Sequence, residues 1–356
     1  LEERAKRELQ QSDRVRLFGK ARQRREQAAR LDRGERVFDH PEGRRPVSVP
    51  AADEYRASVD ELIVRSPVTW DDIAGMAKTK ELLKYSLGLL CARWPEPLRP
   101  LDADRVLLYG PPGTGKTLLA AASSSMLGAT FFNVKCSNLM SKWFGESSKL
   151  IAALFARARS EADTGAALVF IDEVDALCRR REAAGETGAE RRILSTLLAE
   201  LDGLADKGHR TRVIIIAATN RPQDISAAVL ERFDEHILVP LPDRQARQAI
   251  LRIHIEPAGY TLADDVSYEQ LARRTRNFSG RALRHLAKKA VKAMLRDANA
   301  AAPERVDAGD IADYTIATRP LTAADFEEAL RHCRPSTADM RDYVRWREQV
   351  VGGDVA

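Results

Sequence analysis

The sequence holds few cysteines, four in 356 residues, and they are scattered at Cys91, Cys136, Cys178 and Cys333. No two stand at a metal-ligand spacing, so a zinc module and a disulfide framework are both excluded, and the pattern predicts a reducing, cytoplasmic compartment. Long apolar runs are also missing. The longest, 166–171 and 213–218, fall far short of the about 20 residues a membrane helix needs and read as buried strands. A membrane link is therefore expected only through a segment upstream of residue 1. The first residue is Leu1, not Met, and the natural N-terminus is expected to precede it. No base-reading motif occurs, so nucleic acid is not an expected partner. An excess of one charge sign is absent from most of the chain. Residues 1–45 hold 14 Lys+Arg against 9 Asp+Glu, and the remainder balances at 43 against 43.

What is present suits a soluble globular protein long enough for two domains, with 44% hydrophobic and 31% charged residues. Residues 1–50 form a basic arm ending in a proline-rich linker. The arm reads either as a solvated segment or as a tether to an acidic partner. Residues 51–242 alternate short apolar runs with helical stretches: strands are expected at 106–109, 130–133, 167–171, 213–218 and 236–239, and helices at 115–127, 147–162 and 188–201. That alternation predicts an α/β fold, a parallel sheet sandwiched by helices. Residues 243–356 show only helical patterns (244–253, 268–274, 280–297, 323–331 and 338–349), a small all-helical domain with a C-terminal helix.

The chemistry concentrates at three strand ends. Gly110, Pro111, Pro112, Gly113, Thr114, Gly115, Lys116 and Thr117 satisfy G-x-x-x-x-G-K-[ST], follow the strand at 106–109 and run through Leu118 into a helix. Glycines let the backbone close around phosphates, and the N–H groups of the loop and helix start face negative charge. Lys116 suits the β- and γ-phosphates of ATP, and the Thr117 hydroxyl suits Mg2+. The run 167–175 carries five apolar residues and then Asp172 and Glu173. Asp172 is placed for the Mg2+ shell, and Glu173 for general-base activation of the attacking water. The run 213–220 ends in Asn220, which suits either a γ-phosphate or lytic-water contact, or a plain cap on the turn before Arg221-Pro222.

In this order and spacing, GPPGTGKT, FIDEVDAL and AATNRP resemble the AAA ATPases over residues 67–350. The resemblance implies a nucleotide domain, a helical lid, and an ATP-promoted homo-oligomer, usually a hexamer. It places Ile73, Ala74 and Gly75 along the adenine, with Gly280 near it; Ala282 stands where an acidic residue is usual. Ser141 to Glu146 resembles a substrate-gripping pore loop: Trp143 and Phe144 beside Gly145 can hold a threaded polypeptide, and Lys142 favours acidic chains such as tubulin tails. The same run also fits a hydrophobic anchor for the next helix. SKWFGES, Arg191-Arg192 and the closing stretch from Asp325 to Trp346 resemble the katanin, spastin and fidgetin subgroup, which implies microtubule severing. Membrane-linked disassembly or extraction is the alternative. Relatives carry two arginines that reach the neighbour's ATP; here Glu231 replaces the first and Arg232 remains.

Overall fold

In the computed structural model, the structure describes residues 52–91, 105–142, 146–178, 188–205 and 213–351, apart from 304–305, 307–311 and 313. Five strands, β1 (Arg105–Tyr109), β2 (Thr130–Lys135), β3 (Ala167–Asp172), β4 (Val213–Thr219) and β5 (Glu235–Leu238), make one sheet in the order β2-β3-β4-β1-β5. Every pairing is parallel. β1, β3 and β4 are covered on both faces, which explains why they read as unbroken apolar runs instead of alternating ones. All five expected strands are present, each shifted or extended by one or two residues.

Side-chain alternation divides the sheet between two cores. Val106, Leu108, Phe131, Phe170, Ile214 and Ile216 face α2 (Ala77–Cys91) and α3 (Lys116–Leu127), which add Leu83, Leu87 and Leu119. Leu107, Tyr109, Phe132, Val169 and Ile215 face the other way. There they meet α1 (Ala52–Asp60), α5 (Ser147–Thr164) and α7 (Gly188–Ala205) through Val59, Leu154, Phe155 and Leu197. Between β2 and α5 lies the short α4 (Cys136–Lys142), and single turns α6 (Asp175–Cys178) and α8 (Ala227–Leu230) follow β3 and β4. The chain after α1 closes the outer edge of β2: Val64 N–H donates to Phe131 O at 2.9 Å, and Asn133 N–H to Leu62 O at 2.8 Å. A sheet edge left bare would be open to pairing with other chains.

Beyond β5 a third core forms among helices alone. It is built from α9 (Arg244–Ile255), α10 (Tyr268–Arg274), α11 (Gly280–Ala298) and α12 (Ala323–Arg331), packed through Leu251, Leu271, Leu286, Met294 and Phe326. Their starts are fixed by side-chain caps: Asp243 accepts from Ala246 N–H at 2.7 Å, and Ser267 and Gln270 form a capping box. The last helix, α13 (Met340–Val351), leaves this core and returns to the sheet. Trp346 is only 8% exposed and lies edge-on to Tyr109 of β1, ring centroids 4.7 Å apart.

Because Trp346 fills a slot in the sheet core, Trp346→Ala should cost about 3–5 kcal/mol, as expected for deletion of a large buried aromatic. Urea unfolding of the whole chain measures this. An unchanged midpoint would mean that α13 does not hold the position described.

Candidate active site

The C-terminal tips of β1, β3 and β4 lie side by side, with Tyr109 level with Thr219 and Ile171 level with Ala217. Open parallel sheets bind ligands at that edge. The β1 tip turns sharply. Gly110 has φ 146°, and a Cβ there would lie 2.3 Å from Val239 O, so only glycine passes this point. Thr114 Oγ1 donates to Pro111 O at 3.0 Å and closes the loop on itself.

Lys116 opens α3 with its ammonium turned inward, 7% exposed, donating to Gly110 O at 2.8 Å and Pro111 O at 2.9 Å. Burial lowers its pKa to about 8, partly offset by the charges of Asp172 and Asp175. A buried cation whose hydrogen bonds, among the described residues, go to carbonyls fits a polyanion. Thr117 and Leu118 lie on the exposed side of the same turn.

At the β3 tip Asp172 is half-buried, and burial raises its pKa against the pull of the Glu173 N–H, which it accepts at 3.0 Å. Glu173 has φ 57°, an uncommon conformation for a residue with a side chain. Its Oε1 lies 3.1 Å from Nζ of Lys135. Behind it the turn is tied to β4: Val174 N–H donates to Ala218 O at 3.0 Å, and Thr219 Oγ1 donates to the buried Asp175 at 2.7 Å. Asn220 follows directly. Its carbonyl accepts Tyr343 O–H from α13 at 2.9 Å.

Two further segments converge on the loop. Gly75 has φ 69°, and a Cβ there would lie 2.5 Å from Ala246 Cβ, so Ile73, Ala74 and Gly75 run tightly under α9. Lys80 Nζ fastens this turn by donating to Ile73 O, and to Trp70 O at 2.9 Å. From the other side a Cβ on Gly280 would sit 3.3 Å from Gly113 O, which accepts Arg281 N–H at 3.0 Å.

The structure thus gathers residues 73–75, 110–118, 172–173, 220 and 280 from five places in the sequence. Arg232 has other company: its guanidinium lies 2.5 Å from Asp202 of α7, an ion pair whose Nε–H is not aligned for a hydrogen bond. Glu231 beside it is 72% exposed. Lys142 ends α4, and Trp143, Phe144 and Gly145 lie outside the described residues, as do the arm and the stretch 179–187. Lys135 belongs to no motif of the sequence, Asp175 and Thr219 only fill out the runs 167–175 and 213–220, and Tyr343 lies within the closing stretch with no role at the site read from it. Lys135 is the register partner of Asp172, a signal that exists only once β2 is paired with β3.

For Mg2+ the donors are hard oxygens: the Thr117 hydroxyl and the Asp172 oxygen not taken by the Glu173 amide. Among the described residues no group of three or more His, Cys, Asp or Glu gathers as a metal cage.

The family model described as "ATPase family associated with various cellular activities (AAA)" matches residues 106–241. The chain is 38% identical over 289 residues to the katanin p60 ATPase-containing subunit A1 of Arabidopsis thaliana, covering 78% of this chain and 54% of that protein. It spans about half the length of the curated relatives it matches. Among solved structures, the FIGL-1 AAA domain in complex with ADP superposes with a TM-score of 0.68 at 30% identity, over 86% of this chain and 99% of that one. A katanin structure determined for its self-assembly gives a TM-score of 0.65 at 29% identity, over 88% and 98%.

The depressed pKa of Lys116 has a pH signature. Between about 8 and 10.5 the unfolded chain keeps this proton while the folded chain has lost it, so Lys116 makes stability rise with pH across that window. A bound polyphosphate favours the charged form, so ATP binding at pH 8.5 should take up a proton, and binding at pH 7 should not. Calorimetry in two buffers of different ionisation enthalpy reads the uptake. Uptake that persists in Lys116→Met would assign it elsewhere.

Proposed function

The chain belongs to the AAA family of ATPases, and from that premise we propose that it is a ring-forming ATP hydrolase that pulls on an acidic polypeptide, with tubulin tails and microtubule severing as the end use. The observation that carries the ATPase chemistry is the placement of a buried Lys116, an acidic pair and Asn220 at three adjacent strand tips. The loop N–H groups and Lys116 bind the β- and γ-phosphates, residues 73–75 and Gly280 border the adenine, and Thr117 and Asp172 hold Mg2+. The metal, when bound, neutralises charge on the phosphate oxygens.

Glu173 takes the proton of the attacking water. Lys135 contacts it through Oε1, which fixes the direction of the carboxylate. Asn220 orients the water or the γ-phosphate. Arg232 serves the ATP of a neighbouring copy, where a trans arginine is worth on the order of 10³-fold in turnover. Lys142, Trp143, Phe144 and Gly145 grip the substrate. The katanin relatives support the severing end use, and the basic arm and Lys142 support an acidic substrate.

ATP turnover measured over a range of protein concentrations, with and without microtubules, tests the whole reading. The rate per subunit should climb with concentration and climb again with microtubules. Turnover that ignores microtubules would move the substrate to another polypeptide, membrane-linked assemblies included. Lys116→Ala should abolish nucleotide binding. Glu173→Gln should keep ATP bound and lower turnover by about 10²-fold or more, and near-normal turnover in that variant would remove Glu173 from its role. Trp143→Ala should spare ATP hydrolysis and abolish severing; equal loss of both would make Trp143 a structural anchor.

A further inference from the structure

The C-terminal helix touches the chain at the ends of two strands that lead into the nucleotide site, each time through one aromatic residue. Tyr343 and Trp346 stand three residues apart on α13 and so share one face. Trp346 packs on the ring of Tyr109, the residue before Gly110. Tyr343 O–H donates to the carbonyl of Asn220, the residue after Thr219. Tyr109 and Thr219 are register partners on adjacent strands. One helix face therefore straddles β1 and β4 where both chains enter the site.

The contact with Asn220 is the more specific. The peptide joining Asn220 to Arg221 is held from both ends: its carbonyl accepts from Tyr343 at 2.9 Å, and its N–H donates to Thr219 Oγ1 at 2.9 Å. Thr219 Oγ1 in turn donates to Asp175 at 2.7 Å, beside the acidic turn. With that peptide plane held on one side of its Cα and β4 ending at Thr219 on the other, the Cα–Cβ direction of Asn220 is fixed from both sides. The Asn220 carboxamide makes no hydrogen bond among the described residues, so its aim depends on the backbone beneath it. Small errors of aim at a group facing reacting atoms cost rate much more than affinity.

We propose that Tyr343 is a positioning residue for ATP hydrolysis, acting through the Asn220 carbonyl to aim the Asn220 side chain, so that docking of α13 sets the hydrolytic competence of the site. The inference rests on the proposed ATPase mechanism. Undocking of α13 removes the Tyr343 bond and uncovers Tyr109 in one motion, leaving a site that binds nucleotide and turns it over slowly.

Tyr343→Phe removes the phenol oxygen and keeps the ring, so it isolates the hydrogen bond from the packing. The kcat for ATP should fall about fivefold, the effect of losing one ordinary hydrogen bond in the transition state. KM for ATP should change by less than about twofold, and the melting temperature should stay within about 2 °C. Hydrogen–deuterium exchange gives a second readout that does not depend on turnover: amides at 219–224 should exchange faster in Tyr343→Phe, with those of β1 unchanged. Wild-type kcat together with unaltered exchange at 219–224 would overturn the proposal. A broad fall in protection with a lowered melting temperature would also overturn it, by making Tyr343 a packing residue only. If the unsubstituted chain shows no turnover at any concentration, the ATPase mechanism fails and takes this inference with it; turnover intact but indifferent to Tyr343→Phe sinks this inference alone.

Discussion

The site is organised around one electrostatic constraint, the burial of the Lys116 charge. An ammonium on a residue 7% exposed, hydrogen-bonded among the described residues to the carbonyls of Gly110 and Pro111, is expensive to keep charged, which is why its pKa falls to about 8. The loop must bring two carbonyls onto one nitrogen, and that requires the positive φ values of Gly110, Gly113 and Gly115. At two of these turns the neighbours also leave no room for a side chain: Val239 against Gly110, and Ser279 and Arg281 against Gly113. The strand and the helical region are both committed to supporting a single turn. A triphosphate relieves the same constraint by supplying the negative charge that the carbonyls only approximate, so affinity for a polyanion follows from the cost of its absence.

The acidic turn shows a second kind of commitment. Glu173 sits at φ 57° beside a half-buried Asp172, and both features oppose folding mildly. Val174 N–H to Ala218 O and Thr219 to Asp175 hold the turn against that strain, and both bonds run from the turn after β3 to β4. The parallel pairing of β3 with β4 is therefore what keeps Glu173 in place. The Lys135 contact adds a third strand to the same task, since β2 delivers that lysine level with Asp172.

How much of this was legible in the sequence depends on whether the determining contacts are local. Gly110 to Thr117 could be read because phosphate binding by a loop is a property of consecutive residues. The five strands could be read because doubly covered strands are continuous apolar runs. Lys135 and Tyr343 could not: one depends on which strand lies beside β3, the other on a helix more than a hundred residues away. α4 escaped because Cys-Ser-Asn-Leu-Met-Ser-Lys is short and rich in weak helix formers. α2 is a different case, with Leu83 and Leu87 buried one turn apart and Tyr85 exposed, a helical pattern the sequence carries on its own.

The arginine proposed to act in trans is engaged within its own chain, and the energetics of that engagement bear on the ring. Arg232 lies on Asp202 in a pair whose side chains are 32% and 46% exposed, although the Nε facing the carboxylate is itself buried. Pairs of this kind contribute about 0–1 kcal/mol, so Arg232 leaves Asp202 at little cost when a γ-phosphate is offered by a neighbour. Glu231 acts in the opposite sense. Placed beside Arg232 and fully in solvent's reach, it lowers the local positive potential that would draw the phosphate. The balance resembles that of a weak switch: an arginine easily released but poorly attracted engages only when the ring itself holds the two subunits together. Under the proposed mechanism, assembly by other contacts would then precede fast hydrolysis and set its concentration dependence, with the nucleotide completing the interface afterwards.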